Sequence, residues 1–226
     1  MNTMTVSMVV FDLGGVMIRL AEGWEDACRI AGVPYRPFVL TPELATAWEE
    51  LEVALGSGRI SATAYYAQKC RQLRELYTVD EIAAAYQAVI REEFPGIPAL
   101  VMALKDTGYR TACLSNTCAP HWVDLTNPVK YPGIGLLDVH HASHLLGVTK
   151  PNAEIYQRFM AQTATEPAQL LFFDDNRANV DAARACGWHA MHIVPTQPAV
   201  AQLLEGLAVH GIMLPAAVRQ YQTSSD

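Results

Sequence analysis

Alternating strand-like and helix-like segments between residues 99 and 194 restrict what this chain can fold into more than any other feature. The pattern predicts helix over 99–106, then strands over 110–114 and 139–142. A helix over 151–162 with Pro151 at its first position, a strand over 170–173, a helix over 178–186 stopped by Gly187 and a strand over 190–194 complete it. Parallel neighbours need crossover connections, so units of this size imply a three-layer α/β fold, a Rossmann-like parallel sheet with helices on both faces. One more strand opens the chain: Val6 to Phe11 is a β-branched and aromatic run that stops at Asp12-Leu13-Gly14-Gly15.

Residues 23–94 break the alternation. Leu44, Ala47, Trp48, Leu51 and Leu55 share a helical face that starts at Thr41-Pro42 and stops at Gly56. A Thr78-x-x-Glu81 capping box starts another helix, with Ile82, Ala85, Tyr86, Val89 and Ile90 inward. The block shows no convincing strand and ends at the breaker cluster Pro95-Gly96-Ile97-Pro98. At 226 residues the chain suits one domain plus an insert. The expected division is a core of residues 1–18 and 97–226 and a helical cap of residues 19–96, with the tail 220–226 frayed.

Composition excludes several classes. With 51% hydrophobic and 17% charged residues, the chain is neither disordered, collagenous nor a coiled coil. A net charge of -7 with Lys and Arg scattered singly argues against nucleic-acid and membrane partners. No basic segment precedes an apolar run at the start, and no stretch approaches the ~20 apolar residues of a membrane span; a cytoplasmic location is expected. The five cysteines form no Cys-x-x-Cys pair and read as reduced small hydrophobes.

In open parallel sheets ligands bind beyond the carboxyl ends of the strands. Asp12 follows the first expected strand, Ser115-Asn116-Thr117 the second and Asp174-Asp175 the fourth, while Lys150 precedes a helix. Three carboxylates, a hydroxyl and a lysine at one edge suit Mg²⁺ and an anionic substrate. A carboxylate with a reference pKa of ~3.9 is ionised near neutral pH, so Asp12 could attack phosphorus without a general base.

Phe11-Asp12-Leu13-Gly14-Gly15-Val16, Leu114-Ser115-Asn116-Thr117, Lys150-Pro151 and Phe172-Phe173-Asp174-Asp175-Asn176-x-x-Asn179 resemble the four ordered motifs of the haloacid dehalogenase (HAD) superfamily. The helical block sits where that family inserts its cap. Within the superfamily the chain looks closest to α-D-glucose-1-phosphate phosphatases and the amino-terminal phosphatase domain of soluble epoxide hydrolases, which share the Asp-Asp-x-x-x-Asn form. The resemblance implies a phosphatase acting on a small phosphorylated metabolite, such as a sugar phosphate, as a monomer or homodimer. Asp12 would be nucleophile and metal ligand, with Asp174, Asp175 and the Gly14 carbonyl completing the metal site. Ser115, Asn116 and Lys150 would bind the phosphoryl group, Lys150 also neutralising Asp12, and Asn179 would orient Lys150 or a metal-bound water from outside the ligand set. Most phosphatases of the superfamily carry a second Asp where this chain has Gly14. Its loss removes a general acid worth ~10²–10⁴-fold in rate.

Two other readings share these motifs: a 2-haloacid dehalogenase, in which the same Asp attacks carbon without a metal, and a catalytically silent HAD-fold binding protein. The adjacent acids Asp174 and Asp175 would repel a haloacid carboxylate and favour the phosphatase. His140, His141 and His144 read as structural, since adjacent strand residues face opposite ways. Trp24, Trp48, Tyr65 and Tyr66 read as cap core, Arg71 and Arg74 as a solvated face, and His121 as helix surface or, less expected, a substitute acid. A cap closing over the site would bend near residues 19–22 and 94–97.

Overall fold

The computed structural model describes residues 6–219, so the expectations placed on residues 1–5 and on the tail 220–226 lie outside the described residues. Five strands form one parallel sheet: β1 (Met8–Phe11), β4 (Arg110–Ser115), β5 (Val139–Ala142), β6 (Leu170–Asp174) and β7 (His189–His192), in the order β5-β4-β1-β6-β7. Side chains alternate across it with the period of a strand. Val9, Phe11, Cys113, Leu171 and Phe173 enter one apolar cluster, and Met8, Val10, Ala112, Leu114, Leu170 and Phe172 enter the other. Helices cover both faces, which is why β1 and β6 are buried along their whole length. On the first face lie α5 (Ile97–Asp106), α7 (Pro132–Gly135) and α11 (Ala199–Val209); on the second lie α9 (Ala153–Thr163) and α10 (Arg177–Ala185). Shorter helices α6 (Ala119–Leu125), α8 (Ser143–Leu146) and α12 (Ala216–Arg219) complete this part.

The block after β1 builds its own core. Helices α1 (Trp24–Ala31), α2 (Pro42–Gly56), α3 (Ala62–Gln72) and α4 (Val79–Gln87) surround a third apolar cluster that includes Leu51, Leu55, Tyr65, Tyr77 and Ile82. Thr41 accepts from the Leu44 amide at the start of α2, and the Thr78–Glu81 capping box closes reciprocally at 2.8 and 3.2 Å.

Three expectations are corrected. The block does contain a strand: β3 (Ile90–Glu93) pairs antiparallel with β2 (Ile18–Leu20). Helix α4 therefore stops at Gln87 and Ile90 belongs to the ribbon. The ribbon forms where the two chain crossings to the insert run side by side, a tertiary pairing that a helix-period reading of Val89 and Ile90 does not reveal. Helix α9 starts at Ala153, because Asn152 caps it by accepting from the Glu154 amide, and Pro151 lies before the helix after a cis peptide bond. The Pro95–Pro98 cluster is not all boundary: Gly96 is the cap of α5 and Pro98 sits in its first turn. No helix among the described residues is long and apolar enough to cross a membrane.

Candidate active site

β1 lies between β4 and β6, at the point where the strand order reverses, so the carboxyl ends of three strands meet there. The Asp12 amide donates to the Phe173 carbonyl at 2.8 Å, which carries the β1–β6 pairing one residue past the strand and fixes where the carboxyl emerges. Its Oδ1 accepts from the Leu13 amide at 2.7 Å and lies 3.1 Å from Lys150 Nζ.

Lys150 is the buried centre of the cluster, its side chain 0% exposed. Its ammonium donates to Asp174 Oδ2 at 2.6 Å. Asp174, also fully buried, accepts at Oδ1 from the Asn176 amide at 2.8 Å, and Asn179 Nδ2 lies 3.0 and 3.1 Å from its two oxygens. Tyr156 holds Asn179 in turn, its hydroxyl donating to the Asn179 carbonyl at 2.8 Å. The expected role of Asn179 is thereby refined: it acts on Asp174, and Asp174 positions Lys150. The Asn116 side chain clamps the same loop, donating to the Lys150 carbonyl at 2.9 Å and accepting from the Lys150 amide at 2.8 Å. Its side-chain oxygen is thus committed to protein, and a ligand is left the remaining amide proton or the backbone. Ser115 and Asn116 both line the cavity beside Asp12.

Asp12, Asp174 and Asp175 offer oxygens within 4.8 Å of one another, the one such acidic group among the described residues. Asp175 packs over Gly15: a Cβ there would lie 2.5 Å from Asp175 Oδ2, and Gly15 has φ +69°, so this glycine is required twice over. Gly14 is different. It is not among the residues of positive φ, and the three atoms nearest to a Cβ on it all belong to the Leu20 side chain, the closest at 3.1 Å.

The electrostatics correct one expectation. Burial pushes the Asp12 carboxyl up to about 7; Lys150 pulls it down, while Asp174 and Asp175 add to the rise. Asp12 is not ionised simply by being a carboxylic acid. Burial likewise raises Asp175, with Asp174 adding to it. Burial alone would lower Lys150, but Asp12 and Asp174 outweigh it and hold the ammonium charged. Fully ionised, the three carboxylates would carry two more negative charges than Lys150 offsets, the charge that a divalent cation supplies. An all-oxygen donor set of this kind fits Mg²⁺.

His121 is neither helix surface nor the missing acid. It is buried, stacks on Tyr86 with centroids 4.7 Å apart, and its Nε2 lies 2.8 Å from the Tyr86 carbonyl. A carbonyl only accepts, so Nε2 carries the proton, and burial lowers the pKa of the ring. The neutral ring has no second proton to give. His140, His141 and His144 bond to Ile134, Gln162 and Thr117, as structural histidines do.

The insert contributes residues that the sequence did not single out. Lys69 lies buried on α3 with its Nζ 3.1 Å from Glu52 and 4.4 Å from the centre of the Trp48 ring, with Tyr65, Trp24 and Tyr86 at 5.0 to 5.8 Å. Glu52 also accepts from the Tyr65 and Tyr86 hydroxyls. The legible signal was a charge on an apolar stripe: Lys69 follows Tyr65 and Tyr66, and Glu52 follows Trp48, at helical spacing. Trp24, Glu52, Lys69 and Tyr86 share with Asp12 and Ser115 the lining of a cavity of about 390 Å³.

A family model described as haloacid dehalogenase-like hydrolase matches residues 6–187. The chain is 28% identical over 200 residues to a sesquiterpene phosphatase of Aspergillus oryzae, covering 84% of this chain and 90% of the fungal protein. It is 23% identical over 214 residues to acyl-CoA dehydrogenase family member 10 of Mus musculus, covering 89% of this chain but spanning only 19% of the mouse protein. Among solved structures, a HAD-like family hydrolase of Porphyromonas gingivalis superposes with a TM-score of 0.67 at 28% identity, covering 88% of this chain and 98% of that one. A HAD family enzyme of Bacteroides thetaiotaomicron, solved with magnesium and inorganic phosphate, superposes with a TM-score of 0.67 at 19% identity, covering 85% and 96%.

Proposed function

The chain belongs to the haloacid dehalogenase-like hydrolases, and from that premise we propose that it is a Mg²⁺-dependent phosphomonoesterase that works through a phosphorylated Asp12. The observation that carries this reading is the cluster of Asp12, Asp174 and Asp175, whose oxygens lie within 4.8 Å of one another beside the Lys150 ammonium. Asp12, Asp175 and the Gly14 carbonyl would hold the ion, which when bound supplies charge neutralisation for the carboxylates and the phosphoryl oxygens. Such an acidic site would repel the carboxylate of a haloacid. The magnesium and phosphate bound by the Bacteroides relative and the activity named for the fungal one support the same choice.

In the proposed reaction one Asp12 oxygen attacks phosphorus and the bond from phosphorus to the leaving oxygen breaks, that oxygen keeping the electron pair and taking a proton from water. Water then attacks the phosphorus of the acyl phosphate, releasing phosphate and restoring Asp12. Lys150, held by Asp174, stands beside Asp12 through both steps and offsets the charge that gathers on the phosphoryl group. Ser115 and the Asn116 backbone border the space where that group sits. The division into a core of residues 1–18 and 97–226 and a cap of residues 19–96 belongs to this proposal, the cap excluding water. A cytoplasmic setting agrees with five unpaired cysteines.

The test is a panel of phosphate monoesters and 2-haloacids assayed with Mg²⁺ and in EDTA. Phosphate release that needs Mg²⁺ is expected. Halide release, or undiminished activity in EDTA, would favour the dehalogenase, and no turnover of any compound would favour the silent binding protein.

A further inference from the structure

Much of the lining of the cavity beside Asp12 is hydrocarbon. Leu13, Ile18, Leu20, Trp24, Ile90 and Leu125 line it together with the ring of Tyr86. Three of the polar side chains in the lining, Glu52, Lys69 and His121, already bond to protein. Glu52 accepts from Lys69, Tyr65 and Tyr86; Lys69 is held by Glu52 and enclosed by four rings; His121 donates to the Tyr86 carbonyl. Two buried atoms of lining residues lack partners, Trp24 Nε1 and Thr117 Oγ1, and their burial keeps a ligand in the cavity from reaching them.

A sugar brings several hydroxyls, each of which loses its hydrogen bonds to water on entering such a site. Unpaired, each costs on the order of 1–3 kcal/mol. A hydrocarbon body carries no such penalty and gains from every apolar atom it buries. The Glu52–Lys69 pair is neutral as a unit, so it does not call for a second charge on the substrate. Resting on the phosphomonoesterase reading above, we infer that the substrate is a phosphate monoester whose leaving group has an apolar hydrocarbon body, not a polyol. This departs from the sugar phosphates that the sequence resemblance implies.

The experiment is steady-state kinetics on phenyl phosphate and its 4-methyl, 4-ethyl, 4-propyl and 4-butyl derivatives, with glucose 1-phosphate and glucose 6-phosphate alongside, in saturating Mg²⁺. The alkyl series changes apolar size while leaving the phenol's acidity almost constant, so it separates packing from leaving-group chemistry. kcat/KM is expected to rise roughly two- to fourfold per added carbon until the cavity is full, and both sugar phosphates are expected to fall far below the butyl compound. Leu20→Asn, at a lining residue 41% exposed, is expected to flatten the series. A flat series in the natural protein, or a sugar phosphate that matches the butyl compound, overturns the inference and leaves the phosphatase reading standing. If no ester is hydrolysed, phenyl phosphate included, the phosphatase reading fails and this inference about a substrate fails with it.

Discussion

At the scale of single residues, Gly14 and Asp12 carry the sharpest consequences. Gly14 supplies no carboxyl, and the histidine that lines the cavity, His121, spends its one proton on the Tyr86 carbonyl. With no positioned acid, negative charge accumulates on the departing oxygen, so rate should fall steeply as leaving-group pKa rises across a series of substituted phenyl phosphates. A flat plot would reveal an acid that this account lacks. In the variant Gly14→Asp the added Cβ has its three nearest neighbours in the Leu20 side chain, the closest at 3.1 Å, and the variant is expected to flatten the plot. Asp12 makes a second prediction. Its carboxyl has an unfolded value of ~3.9 and a folded value of about 7, so the folded protein binds the extra proton between those limits. Stability in EDTA should therefore be greatest at the acid end of that window and be lost as pH rises through it. Melting temperatures should show this slope in the natural protein and a shallower one in Asp12→Asn. Parallel profiles would mean that Asp12 is not buried as described. Three of the four motif segments were legible as residues because each follows a strand, and Lys150-Pro151 because it precedes a helix. The raised Asp12 pKa was not, since it depends on how far neighbouring elements exclude water, and no motif states that.

At the scale of elements, the carboxylate of Glu52 ties three helices together. It sits on α2 and receives Tyr65 and Lys69 from α3 and Tyr86 from α4. Its own side chain is 43% exposed whereas that of Lys69 is 7% exposed, so the larger loss on removing it is the stranding of a buried ammonium. Glu52→Ala is expected to destabilise by about 1–2 kcal/mol, read as a fall of roughly 2–8 °C in melting temperature. An unchanged melting temperature would show that the rings alone hold Lys69. The same elements show what a sequence conveys. The parallel strands were legible because their buried runs are bounded by turns, and α2 and α4 began where Thr41 and Thr78 indicated. The β2–β3 ribbon was not, because it pairs residues some seventy positions apart whose own pattern reads equally as helix. Helix α11 went unread between Pro198 and Gly211, although Leu203, Leu204 and Leu207 pack it on the sheet.

At the scale of the whole molecule, the ribbon decides how the helical insert can move. Glu93 in β3 accepts from the Gly133 and Ile134 amides of α7 at 3.0 and 2.8 Å, which fastens the ribbon to the sheet-bearing core. Hydrogen bonds continue it to Met17–Phe94 at one end and Ala21–Val89 at the other. Bending is thus expected beyond the ribbon, at residues 22–23 and 87–88, where Gly23 has φ +115°, and not at 94–97. The insert touches the core through Ser143 to the Gly56 carbonyl, Gln87 to Asp124 and His121 to the Tyr86 carbonyl. Spin labels on Val39 in the insert and Val129 in the core, both highly exposed, should report a shorter and narrower distance distribution once Mg²⁺ and a phosphate analogue are added. Identical distributions would mean that the two parts move as one body. The central claim, that Asp12 takes the phosphoryl group, is tested most directly by acid-quenching the enzyme during turnover of phenyl phosphate and weighing its peptides. The account predicts one added phosphoryl group on the peptide bearing Asp12, present with Mg²⁺ and absent in EDTA and in Asp12→Asn; sustained turnover in Asp12→Asn, or a phosphoryl group found on any other residue, would contradict it.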